Sequence, residues 1–340
     1  MRKQRVNAVN TRVLIATVGC FVPYTSFSSE LEHPSTNVEQ QTVQIITDKT
    51  KISDIVSNPM FDGFGQFIFP MELPMEISGS ISDLTLNNID VLLPYHSHIH
   101  TQSTIDIISY FQSQNKQGNK VFYDIYTKDE KARVPQKRNT GIFFFKGKPN
   151  APFAIICAGG GFSYVGSIHE SMPLALELSN KGYNVFAIQY RTGGLKVAAE
   201  DLAAGINFVF THSGSLQIST DYYSLWGGSA GARMAAYLGS YGTSVFGYPS
   251  YPRPASIIMQ YTSYNDYTAN DPATFAVVGD DDRIANWKTM QNRINNLNKQ
   301  GTTTEFHHYP NLGHGFGLGL GTSAEGWLEL ATAFWERQMK

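Results

Sequence analysis

From residue 121 onward, short apolar segments alternate with amphipathic helical patterns, and this alternation constrains the fold more than any other feature of the chain. Apolar side chains recur every three or four residues at Leu202, Ile206 and Val209, as on one face of a helix. Strands that alternate with such helices predict an α/β fold, a mostly parallel sheet with helices on both faces. The predicted strands are Val121–Tyr126, Gly141–Phe145, Phe153–Cys157, Val185–Tyr190, Tyr223–Trp226, Ile257–Gln260, Phe275–Val278 and Glu305–Tyr309.

The first residues read as a targeting segment. Basic side chains at positions 2, 3, 5 and 12 precede the apolar stretch Val13–Val22, and small residues follow near Ser28. We interpret residues 1–28 as a signal peptide, which predicts a secreted or periplasmic protein. Two alternatives remain open: a lipid anchor attached through Cys20, and simple retention of the apolar segment.

Residues 29–120 have weak periodicity and many turn formers. We interpret them as an N-terminal elaboration packed on a catalytic domain of residues 121–340. Within the elaboration, 51–60 favours a short helix and 61–69 a loop or strand. His96, His98 and His100 alternate as metal ligands on a strand would, but no nearby carboxylate or Cys completes a set. A surface strand or loop is therefore the preferred interpretation.

Composition excludes several classes of protein. The formal charge is −2, from 26 Lys and Arg against 28 Asp and Glu, and gives no basic footprint for nucleic acid. No later segment has the roughly 18 consecutive apolar residues of a membrane span, so stable membrane insertion is not expected. The 2 cysteines, Cys20 and Cys157, exclude a disulfide scaffold and a CxxC metal site.

The segment Gly227–Gly231 has the pattern G-x-S-x-G between a predicted strand and a helical pattern. A nucleophile on such a sharp turn needs small neighbours two residues to either side, and Gly227 and Gly231 meet that need. Ser229 is therefore the candidate nucleophile. The alternative is an ordinary Gly/Ser turn, which the strand–turn–helix context disfavours.

Three glycines follow the strand Phe153–Cys157, in the segment Ala158–Phe162. Glycines leave backbone amides open to a ligand, so the amides of Gly160 and Gly161, with that of Ala230, are candidates for an oxyanion hole. A nucleotide site is disfavoured because no G-x-G-x-x-G and no Lys-Ser/Thr accompany the glycines.

A serine needs a base, and the base needs an orienting acid. His314 lies in a Gly-rich loop after the strand Glu305–Tyr309, where the base of a Ser, acid, His order belongs. His307 and His308 are competitors, but they fall on that strand. The acid lies in Asp280–Asp282, after Phe275–Val278, and the residues alone do not separate the three aspartates.

These motifs resemble the α/β-hydrolase fold and, more narrowly, the acetyl-xylan and feruloyl esterase-like serine esterases (BD-FAE). The resemblance covers about residues 141–338, and its motifs include Cys157–Phe162, Glu170–Pro173, Gly182–Phe186, Tyr190–Arg191 and Glu200–Asp201. It implies Ser229 as nucleophile, His314 as base and Asp282 as acid. Two departures are Ala158, where relatives carry His or Pro, and Gly279–Asp280 in place of a frequent His-Gly, which leaves Asp281 as the alternative acid.

The sequence thus predicts an exported serine esterase that hydrolyses short acyl esters, acetyl foremost, of small molecules or carbohydrates. Its chemistry requires no metal or organic cofactor. Phe162, Tyr164 and Trp287 are candidates for stacking on sugar rings, or for ordinary packing. The rival predictions are a serine peptidase of the prolyl-oligopeptidase type and a non-catalytic binding protein with the hydrolase fold. No blade-sized repeat of a propeller supports the first rival, and the intact Ser, acid and His disfavour the second.

Overall fold

The computed structural model describes residues 45–61, 63–70 and 83–340. The predicted signal peptide, Cys20 and the first part of the elaboration lie outside the described residues.

Eight strands form one sheet in the order β1-β2-β4-β3-β5-β6-β7-β8. The strands β1 and β2, and β2 and β4, pair antiparallel, and every other neighbouring pair is parallel. Central strands such as β3 are buried along their whole length, as expected for a sheet covered on both faces. The strands are β1 (Phe122–Tyr123), β2 (Gly141–Phe145), β3 (Phe153–Cys157), β4 (Asn184–Gln189), β5 (Ser224–Gly228), β6 (Ser256–Gln260), β7 (Ala273–Gly279) and β8 (Thr304–Tyr309).

Helices cover the sheet. They are α1 (Ile52–Val56), α2 (Thr101–Lys116), α3 (Lys128–Arg133), α4 (Ser171–Asn180), α5 (Leu195–Leu216), α6 (Ala230–Tyr241), α7 (Trp287–Lys299) and α8 (Trp327–Arg337). The helix α6 packs on β3, β5 and β6, so its N-terminus lies at the carboxyl ends of central strands. Ligands of parallel sheets bind at that edge.

The structure contains all eight predicted strands, and their bounds differ from the predicted ones by a few residues at most. The first strand differs most, since only Phe122–Tyr123 pairs with β2. The predicted helix at 51–60 is present as α1 and a 3-10 turn at Pro59–Phe61. The segment 61–69 is a loop with a 3-10 turn, Gly65–Phe67, in its described part.

The described part of the elaboration, here called the N-terminal segment, shares its core with residues 121–340, here called the sheet domain. The Phe64 ring lies 5.7 Å from Phe111 in α2 and 5.7 Å from Phe143 in β2. The Tyr110 ring stacks on Phe145 at 4.9 Å. Burial of these apolar rings holds the segment against the side chains of β2.

A polar network ties the end of β4 to helix α5. The Arg191 guanidinium binds both oxygens of the fully buried Asp201 and also contacts Glu200, and the Tyr126 hydroxyl donates to Asp201 at 2.6 Å. Each oxygen of this buried carboxylate thus has a donor, as burial of a charge requires. The Tyr-Arg and Glu-Asp motifs therefore hold the scaffold together and lie outside the candidate site.

Candidate active site

Ser229 lies on a sharp turn between β5 and α6. Its backbone has φ 50° and ψ −114°, a conformation that costs a non-glycine residue about 1–3 kcal/mol. A Cβ on Gly227 would lie 2.3 Å from the Gly231 backbone, and one on Gly231 would lie 1.9 Å from the Cys157 carbonyl oxygen. The flanking glycines are therefore required sterically, and the turn presents the Ser229 hydroxyl at the carboxyl edge of the sheet.

His314 brings the serine and one aspartate together. Its Nε2 lies 3.0 Å from Ser229 Oγ, and its Nδ1 lies 2.7 Å from Asp282 Oδ2. The Asp282 side chain is fully buried, and its second oxygen accepts the amides of Ile284 and Ala285 at 2.8 and 2.7 Å. Both carboxylate oxygens are thus satisfied, so Asp282 is held in one orientation against the imidazole.

The neighbouring aspartates and histidines lie elsewhere. Asp280 and Asp281 are exposed, and their backbone amides donate to the carbonyls of Tyr309 and Leu312. His307 is bonded to Glu305 at 2.8 Å, and His308 stacks on Trp287 with ring centroids 4.8 Å apart. Of the predicted acids and bases, the structure therefore joins Asp282 and His314 to Ser229.

The loop after β3 presents two free amides beside the serine. Gly160 and Gly161 have positive φ values of 132° and 63°, which turn the chain back over the sheet edge. Within the described residues, the amides of Gly160, Gly161 and Ala230 donate to no other backbone group. Ala158, at the start of this loop, is held by its carbonyl, which accepts a hydrogen bond from the Tyr190 hydroxyl at 2.6 Å.

A cavity of about 300 Å³ opens over Ser229 and His314. Phe162 and Ile284 supply its apolar walls, and the exposed Arg233 lies over the Phe162 ring at 5.7 Å. Of the three aromatics considered for sugar stacking, Phe162 lines this cavity. Tyr164 is buried, and Trp287 is stacked on His308. The remaining lining residues are Gly161, Ala230, Tyr261, Thr262, Ser263 and Ala285.

A buried polar cluster beneath the site was missed from the sequence. Glu170 receives hydrogen bonds from the Gly159 amide and from the Tyr261 hydroxyl, and its Oε1 lies 3.0 Å from His96 Nε2. Burial alone would raise the pKa of this carboxyl, but the charge and hydrogen bond of His96, with the other two bonds, lower it to about 2. Of the three alternating histidines interpreted as part of a surface strand or loop, His98 and His100 are exposed on a loop, but for His96 the interpretation is wrong, because its side chain is 1% exposed.

Two further properties concern the part of the chain that the structure describes. None of its helices has the length and apolar character needed to cross a membrane. None of its His, Cys, Asp and Glu side chains cluster in threes with the geometry to hold a metal ion.

Comparisons with known proteins agree with this fold. The family model described as BD-FAE matches residues 144–305. An acetyl ester-xyloside bifunctional hydrolase from Caldicellulosiruptor lactoaceticus superposes with a TM-score of 0.57 at 19% identity, over 64% of this chain and 95% of its own. Native esterase 2 from Thermogutta terrifontis gives 0.51 at 17% identity, over 58% and 87% of the two chains. No curated protein sequence matches this chain.

The α/β-hydrolase MGS-M1, from a Medee basin deep-sea metagenome library, is similar as well, with a TM-score of 0.52 at 18% identity over 59% of this chain and 93% of its own. The predicted α/β-hydrolase fold is thereby confirmed. The predicted resemblance to the BD-FAE family is confirmed over residues 144–305.

Proposed function

We propose that the chain is a serine esterase in which Ser229, His314 and Asp282 form the catalytic triad. The observation that carries the proposal is the continuous chain of contacts from Asp282 Oδ2 through both nitrogens of His314 to Ser229 Oγ, at 2.7 and 3.0 Å. These distances lie within the range for direct proton transfer. Asp282 fixes the tautomer with a proton on Nδ1, so Nε2 faces the serine as an acceptor.

In the acylation half-reaction, Ser229 Oγ attacks the ester carbonyl carbon while His314 Nε2 takes the serine proton. The carbonyl oxygen becomes an oxyanion, which the amides of Gly160, Gly161 and Ala230 stabilise. Collapse of the tetrahedral intermediate breaks the bond to the alcohol oxygen, and His314 gives its proton to the departing alcohol.

In the deacylation half-reaction, water replaces the alcohol. His314 takes a proton from the water, the resulting hydroxide adds to the acyl carbon, and the intermediate collapses to release the carboxylic acid. The proton on His314 returns to Ser229 Oγ, so the enzyme is regenerated with no change in oxidation state.

The proposed substrate is a short acyl ester, acetyl foremost, on a small or carbohydrate alcohol. A cavity of about 300 Å³ lies at the small end for ligand sites, and its walls include the short side chains of Thr262, Ser263 and Ala285. Phe162 lines the same opening and is an aromatic side chain that a sugar could contact there. A similar solved structure is described as an acetyl ester-xyloside hydrolase, which agrees with this substrate class.

The test is kcat/KM on p-nitrophenyl esters of increasing acyl length, with Ser229→Ala as the matched inactive control. We expect acetyl to exceed butyryl, and both to exceed decanoyl by far, with each added methylene costing about 1–3 kcal/mol in a pocket that rejects it. Acetylated xylo-oligosaccharides should release acetate. A rate that climbs through eight or ten carbons would contradict the short-acyl proposal, and cleavage of peptide anilides in preference to esters would favour the peptidase.

Export is a further part of the proposal and is based on residues 1–28 alone. Expression of the full chain in a bacterial host, followed by fractionation and N-terminal sequencing, tests it. We expect the mature chain outside the cytoplasm to begin near residue 29. An uncleaved cytoplasmic chain would contradict export, and a lipid-modified Cys20 at the N-terminus would establish the anchored alternative.

A further inference from the structure

The cluster beneath the candidate site centres on Glu170. This carboxylate is 1% exposed and accepts hydrogen bonds from three donors: the Gly159 amide, the Tyr261 hydroxyl at 2.8 Å and His96 Nε2 at 3.0 Å. Burial raises the pKa of Tyr261 well above its ordinary value, so its hydroxyl remains a donor. Burial of a charge is costly unless hydrogen bonds compensate it, and three donors compensate this carboxylate.

Glu170 lies against both turns that bear the proposed chemistry. It holds the Gly159 amide, and the free amides of Gly160 and Gly161 follow directly. A Cβ placed on Gly228, next to Ser229, would lie 2.8 Å from Glu170 Oε2. The carboxylate therefore fixes the peptide from which the oxyanion loop departs, directly below the nucleophile turn.

His96 comes from the N-terminal segment, outside the residues that match the family model. Its Nε2 contacts Glu170, and its Nδ1 lies 2.9 Å from the Tyr164 hydroxyl, which also accepts the Tyr95 amide at 3.1 Å. Tyr164 itself belongs to the oxyanion loop, since its amide donates to the Gly160 carbonyl. His96 thus contacts the loop at two places, through Glu170 and through Tyr164.

The negative charge of Glu170 makes its contact with His96 important for the proposed transition state. An anion this close to the oxyanion position opposes the negative charge that develops there in the transition state. His96 Nε2, 3.0 Å from Glu170 Oε1, supplies a hydrogen bond to this charge. His169, whose ring lies 5.4 Å from His96, stays neutral because burial first and the His96 charge second lower its pKa to about 4.

We propose that His96 and Glu170 are positioning residues for the oxyanion loop, so that the N-terminal segment completes the active site of the sheet domain. The proposal rests on the proposed ester hydrolysis, for which Gly160 and Gly161 bind the oxyanion. It assigns to the segment a role in the transition state beyond its contribution to the core.

The test compares His96→Leu with His96→Gln in the full chain. Leucine removes the donor to Glu170, whereas the glutamine amide can restore an N–H near the position of Nε2. For His96→Leu we expect kcat on p-nitrophenyl acetate to fall by about 10- to 100-fold with KM nearly unchanged, since misplacement of the loop harms the transition state alone. Glutamine should recover most of that loss. His100→Leu, an exposed position in the same segment, is the matched control and should retain wild-type kcat.

A second variant covers the case in which His96→Leu does not fold. Tyr164→Phe keeps the ring that stacks on Tyr95 and removes the hydroxyl that contacts His96. Its kcat should fall by about 3- to 10-fold with KM and melting temperature close to wild type. Wild-type kcat in both Tyr164→Phe and folded His96→Leu would overturn the proposal, and so would a change confined to KM. Where His96→Leu does not fold, wild-type kcat in Tyr164→Phe alone would overturn it.

The wild-type protein separates this inference from the proposed function. An active wild type with unaffected His96 variants overturns the positioning role and leaves the esterase intact. A wild type that neither hydrolyses p-nitrophenyl acetate nor reacts with a fluorophosphonate at Ser229 overturns both. Fluorophosphonate labelling slowed in His96→Leu in proportion to kcat supports the positioning role, because the phosphonyl oxygen occupies the same oxyanion hole.

Discussion

The sheet domain, residues 121–340, and the described part of the N-terminal segment, within 45–120, hold their structures in different ways. In the sheet domain, apolar strands pair with their neighbours through continuous backbone ladders. In the segment, the helices α1 and α2 and several 3-10 turns rely on side chains buried against the sheet domain, such as Phe64. Local sequence pattern therefore determines the first region, and tertiary contact determines the second.

The reacting atoms of the proposed triad all belong to the sheet domain. Ser229→Ala tests this proposal and should have the largest effect on activity. Turnover of p-nitrophenyl acetate should fall by about 10⁴- to 10⁶-fold, since triad members act as a unit. The melting temperature should not decrease, because Ser229 is held by its backbone amide, which donates to the Gln260 carbonyl at 3.0 Å. Retention of more than a tenth of wild-type activity would contradict the assignment.

Asp282→Asn should have the next largest effect, a loss of about 10³- to 10⁴-fold in kcat. The amide keeps the shape of the carboxylate but orients the imidazole in the wrong tautomer. Asp281→Asn and Asp280→Asn are matched controls on the same loop, both exposed, and should cost less than about tenfold. A severe loss in Asp281→Asn with a mild one in Asp282→Asn would show that the loop is arranged differently in solution.

The difference between the regions also explains which elements could be predicted. The central strands of the sheet domain are apolar runs bounded by turn residues, and β2 and β3 have the predicted bounds. Helix α2 was missed because its buried face includes Thr104 and Gln112 beside Ile108 and Phe111, so its apolar periodicity is weak. It also begins after His100 without a side-chain cap, which removes the usual start signal.

The candidate site follows the same division. Ser229, His314 and the aspartate loop stand at strand ends, where the fold class directs attention. The pairing of His96 with Glu170 spans two regions of the chain, and no spacing rule connects them. The sequence singled out Glu170 only as part of the motif Glu170–Pro173, and nothing in that motif indicates that the carboxylate is buried and needs a partner.

Phe64→Ala tests whether the segment is part of the same cooperative unit as the sheet domain. Phe64 is 6% exposed among aromatic rings from both regions, so truncation should lower the free energy of unfolding by about 3–5 kcal/mol. Denaturation followed by circular dichroism and by residual esterase activity measures it, and both transitions should shift together. Val245→Ala, at an exposed position, should change stability by less than about 0.5 kcal/mol. A shift in the transition followed by one probe, without a shift in the other, would show that the segment unfolds separately from the sheet domain.

Acid should weaken the contact between the regions in two stages. Burial is the main cause that lowers the pKa of His169 from 6.5 to about 4. As pH falls through this range, the unfolded chain binds a proton that the folded chain does not, so the folded state loses stability. The pKa of Glu170 is lowered from 4.5 to about 2, so the stability it contributes is present above pH 4.5 and is lost as pH falls towards 2. Each difference corresponds to about 3 kcal/mol.

The unfolding free energy measured from pH 7 to pH 2 tests this pH dependence. Relative to its own value at pH 7, Glu170→Gln should lose less stability below pH 4.5, and His169→Gln should lose less between pH 6.5 and 4. Parallel profiles for the wild type and both variants would contradict the assignment of these two groups.

The smallest expected effect concerns the contact between the segment and the base. Ser97 Oγ donates to the carbonyl oxygen of His314 at 2.6 Å, while the Ser97 amide donates to the Gly315 carbonyl at 3.0 Å. Ser97→Ala removes the first bond and leaves the second, so the loop stays attached but the backbone of the base loses one restraint. We expect kcat to fall by about two- to fivefold with KM unchanged, the scale of one neutral hydrogen bond of about 0.5–1 kcal/mol. Ser97→Thr retains the hydroxyl and should restore the rate, whereas equal losses in both variants would attribute the effect to packing.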